Sequence, residues 1–147
     1  MKSIKINNFE IANDKPFTLI AGPCVIESQD HALGLAEDIA RICERVKINF
    51  IFKASFDKAN RTNINSVRGV GLHEALSIFE AIKLSFHCPV LTDIHSEFQC
   101  KEIADFDKID IIQIPAFLCR QTDLLVAAGN TKKIINVKKG QFLSPYD

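Results

Sequence analysis

Residues Phe52–Thr62 read Phe-Lys-Ala-Ser-Phe-Asp-Lys-Ala-Asn-Arg-Thr, and they concentrate cations in one place. The apolar run Phe50-Ile51-Phe52 predicts a buried strand, with Lys53 standing where that strand ends. The polar stretch beyond it carries Lys58, Asn60, Arg61 and Arg68. Cations gathered at one strand end make poor core and a good receptor for anions. Arginine in particular matches phosphate with a two-pronged hydrogen bond. Other apolar runs end in reactive or polar groups too. One leads to Gly22-Pro23-Cys24 and Glu27, one to Asp93 and His95, one to Gln113 and one to Lys138. Five strand ends carrying such residues point to a single shared site.

Each of these residues also has a plainer reading. A lone lysine after a strand is ordinarily a solvated stem, and a lone cysteine such as Cys24 is ordinarily a small buried hydrophobe. A lone His95 is more often a capping or core histidine than a ligand. Two strand-end lysines shift the balance, as does a connection of about 17 residues after Lys53, because loops of that length in compact α/β units are usually functional or disordered. Asp93 and His95 are two apart in an extended segment and share a side, which suits a metal or supporting pair. No Gly-x-Gly-x-x-Gly or Walker A pattern occurs, so no nucleotide cofactor is expected. The five cysteines show no Cys-x-x-Cys spacing, which argues against a disulfide framework or zinc ribbon.

These residues are set on a repeated unit of apolar run, polar loop and amphipathic helix. The runs are Phe17–Ala21, Phe50–Lys53, Pro89–Thr92, Ile109–Ile114 and Lys133–Val137. A helix is predicted over Gln29–Val46, with Ala32, Leu35, Ala36, Ile39, Ala40, Ile42, Cys43 and Val46 on its apolar face. A second spans His73–Leu84, with Leu76, Phe79 and Ile82 inward. Ser96-x-x-Gln99 reads as the capping box of a third. A fourth covers Thr122–Ala128, closed by Gly129 as its C′ residue. Alternating strands and helices imply right-handed βαβ units and a parallel sheet. Ahead of them, Ile4–Ile6 and Phe9–Ile11 flank Asn7-Asn8, a hairpin signal. A doubly wound sheet would be complete at five strands, whereas a (β/α)8 barrel takes about 250 residues. The pattern leaves both closures open.

The 147 residues carry 18 basic and 18 acidic side chains, so no overall field favours nucleic acid or an acidic membrane. No stretch is apolar for long enough to span a bilayer, and the first residues lack the apolar core of a secretory signal. A cytoplasmic location is expected.

Several stretches together are similar to one enzyme family. They are Gly22–Ser28, Phe52–Thr62, Leu91–His95, Gln113–Leu124 and Asn136–Pro145. The family they resemble is 3-deoxy-D-manno-octulosonate 8-phosphate synthase, also called 2-dehydro-3-deoxyphosphooctonate aldolase. The resemblance runs from about Pro16 to Pro145. It implies an α/β fold: the first half of a (β/α)8 TIM barrel, with about five strands, behind a short N-terminal hairpin. Residues 1–147 then form one partial barrel domain, with the hairpin in 1–15 and the strands and helices in 16–147. It also implies a homotetrameric transferase that condenses phosphoenolpyruvate with D-arabinose 5-phosphate, on the route to the lipopolysaccharide core. By family match, Lys53 and Lys138 contact the phosphoenolpyruvate phosphate and Lys58 its carboxylate. Asn60 bonds the sugar, Arg61 and Thr62 hold its phosphate in the same subunit or from a neighbouring one, and Gln113 and Ala116 are further substrate-binding positions. Lys58, Asn60, Asp93 and His95 carry the catalytic expectation. Cysteine at position 24 marks the metal-dependent branch, so Cys24 implies a divalent transition ion such as zinc, iron or manganese.

Two departures from the family stand out. Thr62 replaces a more usual serine and keeps the hydroxyl, and the segment Ser96–Asp110 is about two residues longer, as helix-to-strand loops allow. The remaining metal ligands of the family lie in its second half, beyond Asp147. Three alternatives accompany the main expectation, two of them tied to the same chemistry. One is a truncated, inactive product of the same enzyme; the other is the related seven-carbon synthase, which carries Lys-Pro-Arg-Thr where this chain has Lys58-Ala-Asn-Arg-Thr62. A free-standing five-stranded domain that binds a phosphorylated metabolite is a third.

Overall fold

A computed structural model describes residues 3–146, so both ends of the expected 1–147 domain lie outside the described residues. A hairpin opens the chain, β1 (Ile4–Ile6) against β2 (Phe9–Ile11), with Ile6 paired to Phe9. Asn7 turns it with a φ of 47°, the left-handed conformation that asparagine tolerates. Five parallel strands follow in the order β3-β4-β5-β6-β7: Thr18–Ala21, Asn49–Lys53, Val90–Asp93, Ile111–Ile114 and Ile134–Val137. Helices α1 (Gln29–Val46), α2 (Leu72–Phe86), α3 (Glu97–Ala104) and α4 (Thr122–Asn130) connect them. The sheet curls into half a barrel, which decides between the two closures.

Side chains alternate across the strands with a period of two. Phe50, Phe52, Val90, Ile112 and Ile114 pack outward against Ala36 and Cys43 of α1, Ile78, Phe79 and Ile82 of α2, Ile103 of α3 and Leu124 of α4. Burying each large apolar side chain contributes about 1.5–3 kcal/mol. The opposite face carries Ile51, Leu91 and Ile111, flanked by Ile134, and the hairpin's Ile6, Phe9 and Ile11 cover them. Two residues further along this face each strand turns polar: Lys53, Asp93, Gln113 and Asn136. One face is thus apolar at the end the hairpin covers and chemical at the other.

Several local expectations need correction. Gly129 does not end α4. The helix runs to Asn130, and Lys132, with a φ of 60°, takes the left-handed position. The Thr131 and Lys132 amides donate to Ala128 and Gly129 carbonyls, which satisfies the helix end without glycine. Ile42 and Val46 are about half exposed, unlike the buried Ala32, Ala36 and Cys43 of the same helix. Ile109 and Asp110 precede β6 rather than belonging to it. The Asp110 carboxylate is taken by the Lys83 ammonium and the Val90 amide, which makes this a strand-entry brace.

Candidate active site

The site lies at the carboxyl ends of β4 to β7, where a cleft of about 260 Å3 opens. Its position follows from backbone constraints on either side. Gly22, just after β3, passes so close to β4 that a Cβ there would stand 2.1 Å from the Lys53 carbonyl oxygen. The 54–71 loop then folds back on itself. Ile26 donates its amide to the Ser55 carbonyl at 2.9 Å, and Gly71 donates to Phe56 at 3.0 Å.

Of the eleven residues singled out from sequence, eight line this cleft: Lys53, Lys58, Asn60, Asp93, His95, Gln113, Ala116 and Lys138. Arg61, Thr62 and Cys24 do not. Arg61 lines a neighbouring hollow of about 80 Å3 with Lys58 and Arg68, its Nε donating to the Val67 carbonyl. Thr62 is exposed on the same loop. Cys24 is an exposed free thiol beyond β3, contrary to its plainer reading as a buried hydrophobe. Arg68, counted among the anion-binding cations, is bonded instead to Asp57.

Ser55 organises the floor. Its hydroxyl oxygen is fully buried and accepts from both Lys53 Nζ, at 3.1 Å, and Lys58 Nζ, at 2.8 Å. Burial pushes the Lys53 ammonium below the ordinary lysine range. Lys58 and Lys138 push the same way, while Asp93 and Cys24 oppose them. Asp93 lies 3.9 Å from that ammonium and is 7% exposed. Burial works to raise its carboxyl, but His95, Ser55 and Lys53 together hold it below the usual range.

Asp93 Oδ2 sits 3.1 Å from His95 Nε2, and the His95 ring meets Phe56 edge-on at 5.7 Å. With Nε2–H donated to Asp93, Nδ1 is left as an acceptor. Among the described residues, His95 Nδ1 is buried without a hydrogen-bond partner, whereas Asp93 Oδ1 faces the Lys53 ammonium at 3.9 Å. Such a group costs about 1–3 kcal/mol, which makes it uncommon outside working sites. Gln99 fixes the His95 backbone, since its Oε1 accepts the His95 amide at 2.7 Å. The expected capping box is therefore offset: Ser96 Oγ caps the Gln99 amide, but Gln99 reaches back to His95 rather than Ser96. Gln113 Oε1 accepts from Asn136 Nδ2 at 3.0 Å, leaving its own amide nitrogen as a donor for the cleft.

Sequence reasoning missed the roles of Ser55, Asp57 and Gln99. The spacing Lys53-x-Ser55-x-x-Lys58 carried a signal, because a hydroxyl between two lysines has both within reach.

A family model described as the DAHP synthetase I family matches residues 2–147. The chain belongs to that family. Among curated proteins, it is 57% identical over 146 residues to one from Rickettsia felis named 2-dehydro-3-deoxyphosphooctonate aldolase, covering 99% of this chain and 53% of that protein. Like-named proteins of Rickettsia canadensis and Rickettsia prowazekii are 58% and 57% identical, with 53% and 52% of their lengths covered. The chain thus spans about half the length of the curated relatives it matches. Within the DAHP synthetase I family, the cleft and its lysines occupy the strand-end face on which barrel enzymes place their chemistry. No helix among the described residues is long and apolar enough to cross a membrane.

Proposed function

We propose that this chain supplies the phosphate-binding part of a site that condenses phosphoenolpyruvate with D-arabinose 5-phosphate. Water is consumed, and the products are 3-deoxy-D-manno-octulosonate 8-phosphate and phosphate. The observation that carries the reading is the gathering of eight expected residues, from four strand ends, around one cleft. Asn60 at the cleft wall, in place of the proline of the seven-carbon synthase, favours the five-carbon sugar.

The two substrates bring about four to five negative charges. Lys53 and Lys138 take the phosphoenolpyruvate phosphate, and Lys58 takes its carboxylate. Gln113 and Ala116 complete that wall. Asn60 bonds the sugar, while Arg61 and Thr62 hold its phosphate from the adjoining loop. The phosphoenolpyruvate methylene carbon bonds to the sugar aldehyde carbon, water adds to the enol carbon, and phosphate leaves with carbon–oxygen cleavage. Ammonium groups set in advance stabilise the charge that develops. His95, its ring fixed by Asp93 and Phe56, handles a proton at Nδ1.

Cys24 suits one position around a divalent transition ion, since its thiol is free and exposed. The described residues gather no group of three His, Cys, Asp or Glu that could hold an ion, so further ligands would come from residues other than these. Such an ion would supply a Lewis acid at the sugar carbonyl. A homotetramer in the cytoplasm completes the proposal.

The test is phosphate release from phosphoenolpyruvate by the protein carrying this chain, with arabinose 5-phosphate or erythrose 4-phosphate as acceptor. Preference for the five-carbon acceptor supports the reading. Preference for the four-carbon one moves the assignment to the seven-carbon synthase, and no release with either overturns it.

A further inference from the structure

The loop that carries Lys58, Asn60, Arg61 and Thr62 is closed by a pair of residues that take no direct part in the proposed chemistry. Arg68 Nε donates to Asp57 Oδ1 at 2.8 Å, and a terminal guanidinium nitrogen donates to Oδ2 at 2.5 Å. Alongside, the Lys58 amide donates to the Arg68 carbonyl at 2.7 Å. Arg68 therefore grips the start of the loop with its side chain and its backbone together. The neck below is equally tight: a Cβ on Gly69 would stand 2.4 Å from the Phe56 carbonyl oxygen, and Gly69 has a φ of 120°. The residues expected to meet the sugar phosphate hang from this closed ring. Asp57 itself lines the cleft, where a bare carboxylate would oppose every anion drawn in by Lys53, Lys58 and Lys138.

We infer that the Asp57–Arg68 pair is a positioning device for the aldose phosphate. It holds the 58–68 loop shut and cancels a carboxylate that would repel the incoming anion. The inference rests on the function proposed above. Arg68 acts through Asp57 and the loop and is a positioning residue, not a phosphate ligand. A fork-shaped guanidinium suits the task, since it meets both carboxylate oxygens at once.

Steady-state kinetics on the protein carrying this chain test it, with R68A, R68K, D57N and the double variant R68A/D57N. R68A should raise KM for arabinose 5-phosphate about fivefold, the upper end for an exposed ion pair. Its KM for phosphoenolpyruvate should rise too but by less, because Lys53 and Lys138 stand outside the loop, and its kcat should move less than about twofold. The double variant should recover part of the loss, because the uncovered carboxylate is gone. R68K should recover only part, because an ammonium lacks the fork. An R68A protein with an unchanged KM for the sugar phosphate overturns the inference, as does a double variant no better than R68A. If the wild-type protein turns over neither sugar, the proposed function fails and amide exchange judges the pair. Exchange over 57–68 that is faster in R68A supports the clamp, and unchanged exchange overturns it.

Discussion

Gly22→Ala should damage both stability and turnover, because the new methyl has no room and its neighbour cannot yield. The Cβ would lie 2.1 Å from the Lys53 carbonyl oxygen and 3.0 Å from the carbonyl carbon. Nonbonded heavy atoms rest at about 3.5 Å, so the overlap exceeds 1 Å. The obstructing atoms are backbone at the end of β4, held in register with β3 through Ile20–Ile51 and Ala21–Phe52. Relief requires the strand ends to part, at a cost of about 1–3 kcal/mol by analogy with overpacked cores. Parting them shifts Lys53, and an error of about 1 Å in a positioning group can cost on the order of 100-fold in rate. Urea unfolding and phosphate release on the protein carrying this chain measure the two effects. Gly34→Ala is the control. Its Cβ meets nothing within 4 Å in the middle of α1, so it should stabilise by about 0.5–1 kcal/mol. A Gly22→Ala protein with wild-type stability and rate would refute the close approach and the argument built on it.

Arg61→Ala should raise KM for arabinose 5-phosphate by about tenfold while leaving phosphoenolpyruvate nearly untouched, as expected on losing a charged hydrogen bond. Equal changes for both substrates in initial-rate kinetics would count against its role. Cys24→Ser should lower bound transition metal, read by elemental analysis of the purified protein, and EDTA should abolish wild-type activity until a divalent ion is restored. Metal-free protein that is fully active in EDTA would end the metal proposal. Asp93 has its folded pKa depressed below 3.8, so its stabilising contribution is complete above that value and disappears as pH falls through the folded pKa. Asp93→Asn should therefore flatten the acid limb of stability against pH, and an unchanged acid limb would show that the carboxylate is not held by its neighbours.

The architecture could be read from sequence wherever a short-range pattern determines it. α1 begins and ends at the predicted Gln29 and Val46, because its apolar spacing coincides with a Ser28 cap, whose hydroxyl accepts the His31 amide. The strands are mostly apolar where buried, and the polar ends of β4 to β7 collect in the cleft, while Cys24 beyond β3 stays outside it. What could not be read depended on partners distant in sequence. The periodicity of α1 counts Ile42 and Val46 as inward, but exposure is decided by what lies across from them. Arg68 looked like a free cation until the fold brought Asp57, eleven residues earlier, to its guanidinium. Phe17 opens the apolar run that reads as the first parallel strand, yet β3 begins at Thr18 and Phe17 is exposed. Arg61 and Thr62 belong to the same motif as Lys58 and Asn60, but Arg61 lines a neighbouring hollow and Thr62 is exposed outside the cleft.

The single hydroxyl beneath Lys53 and Lys58 couples ligand chemistry to folding. Two ammonium groups that share one buried oxygen repel each other across a short gap, and their mutual repulsion is part of what lowers the Lys53 pKa. An anion that bridges them removes that repulsion as well as adding its own attraction. The same arrangement makes melting temperature a sensor of occupancy: inorganic phosphate should raise it modestly and phosphoenolpyruvate more, with the logarithm of affinity at a fixed ligand concentration. Ser55, which makes no bond in the proposed reaction, is the residue through which such cooperation would pass.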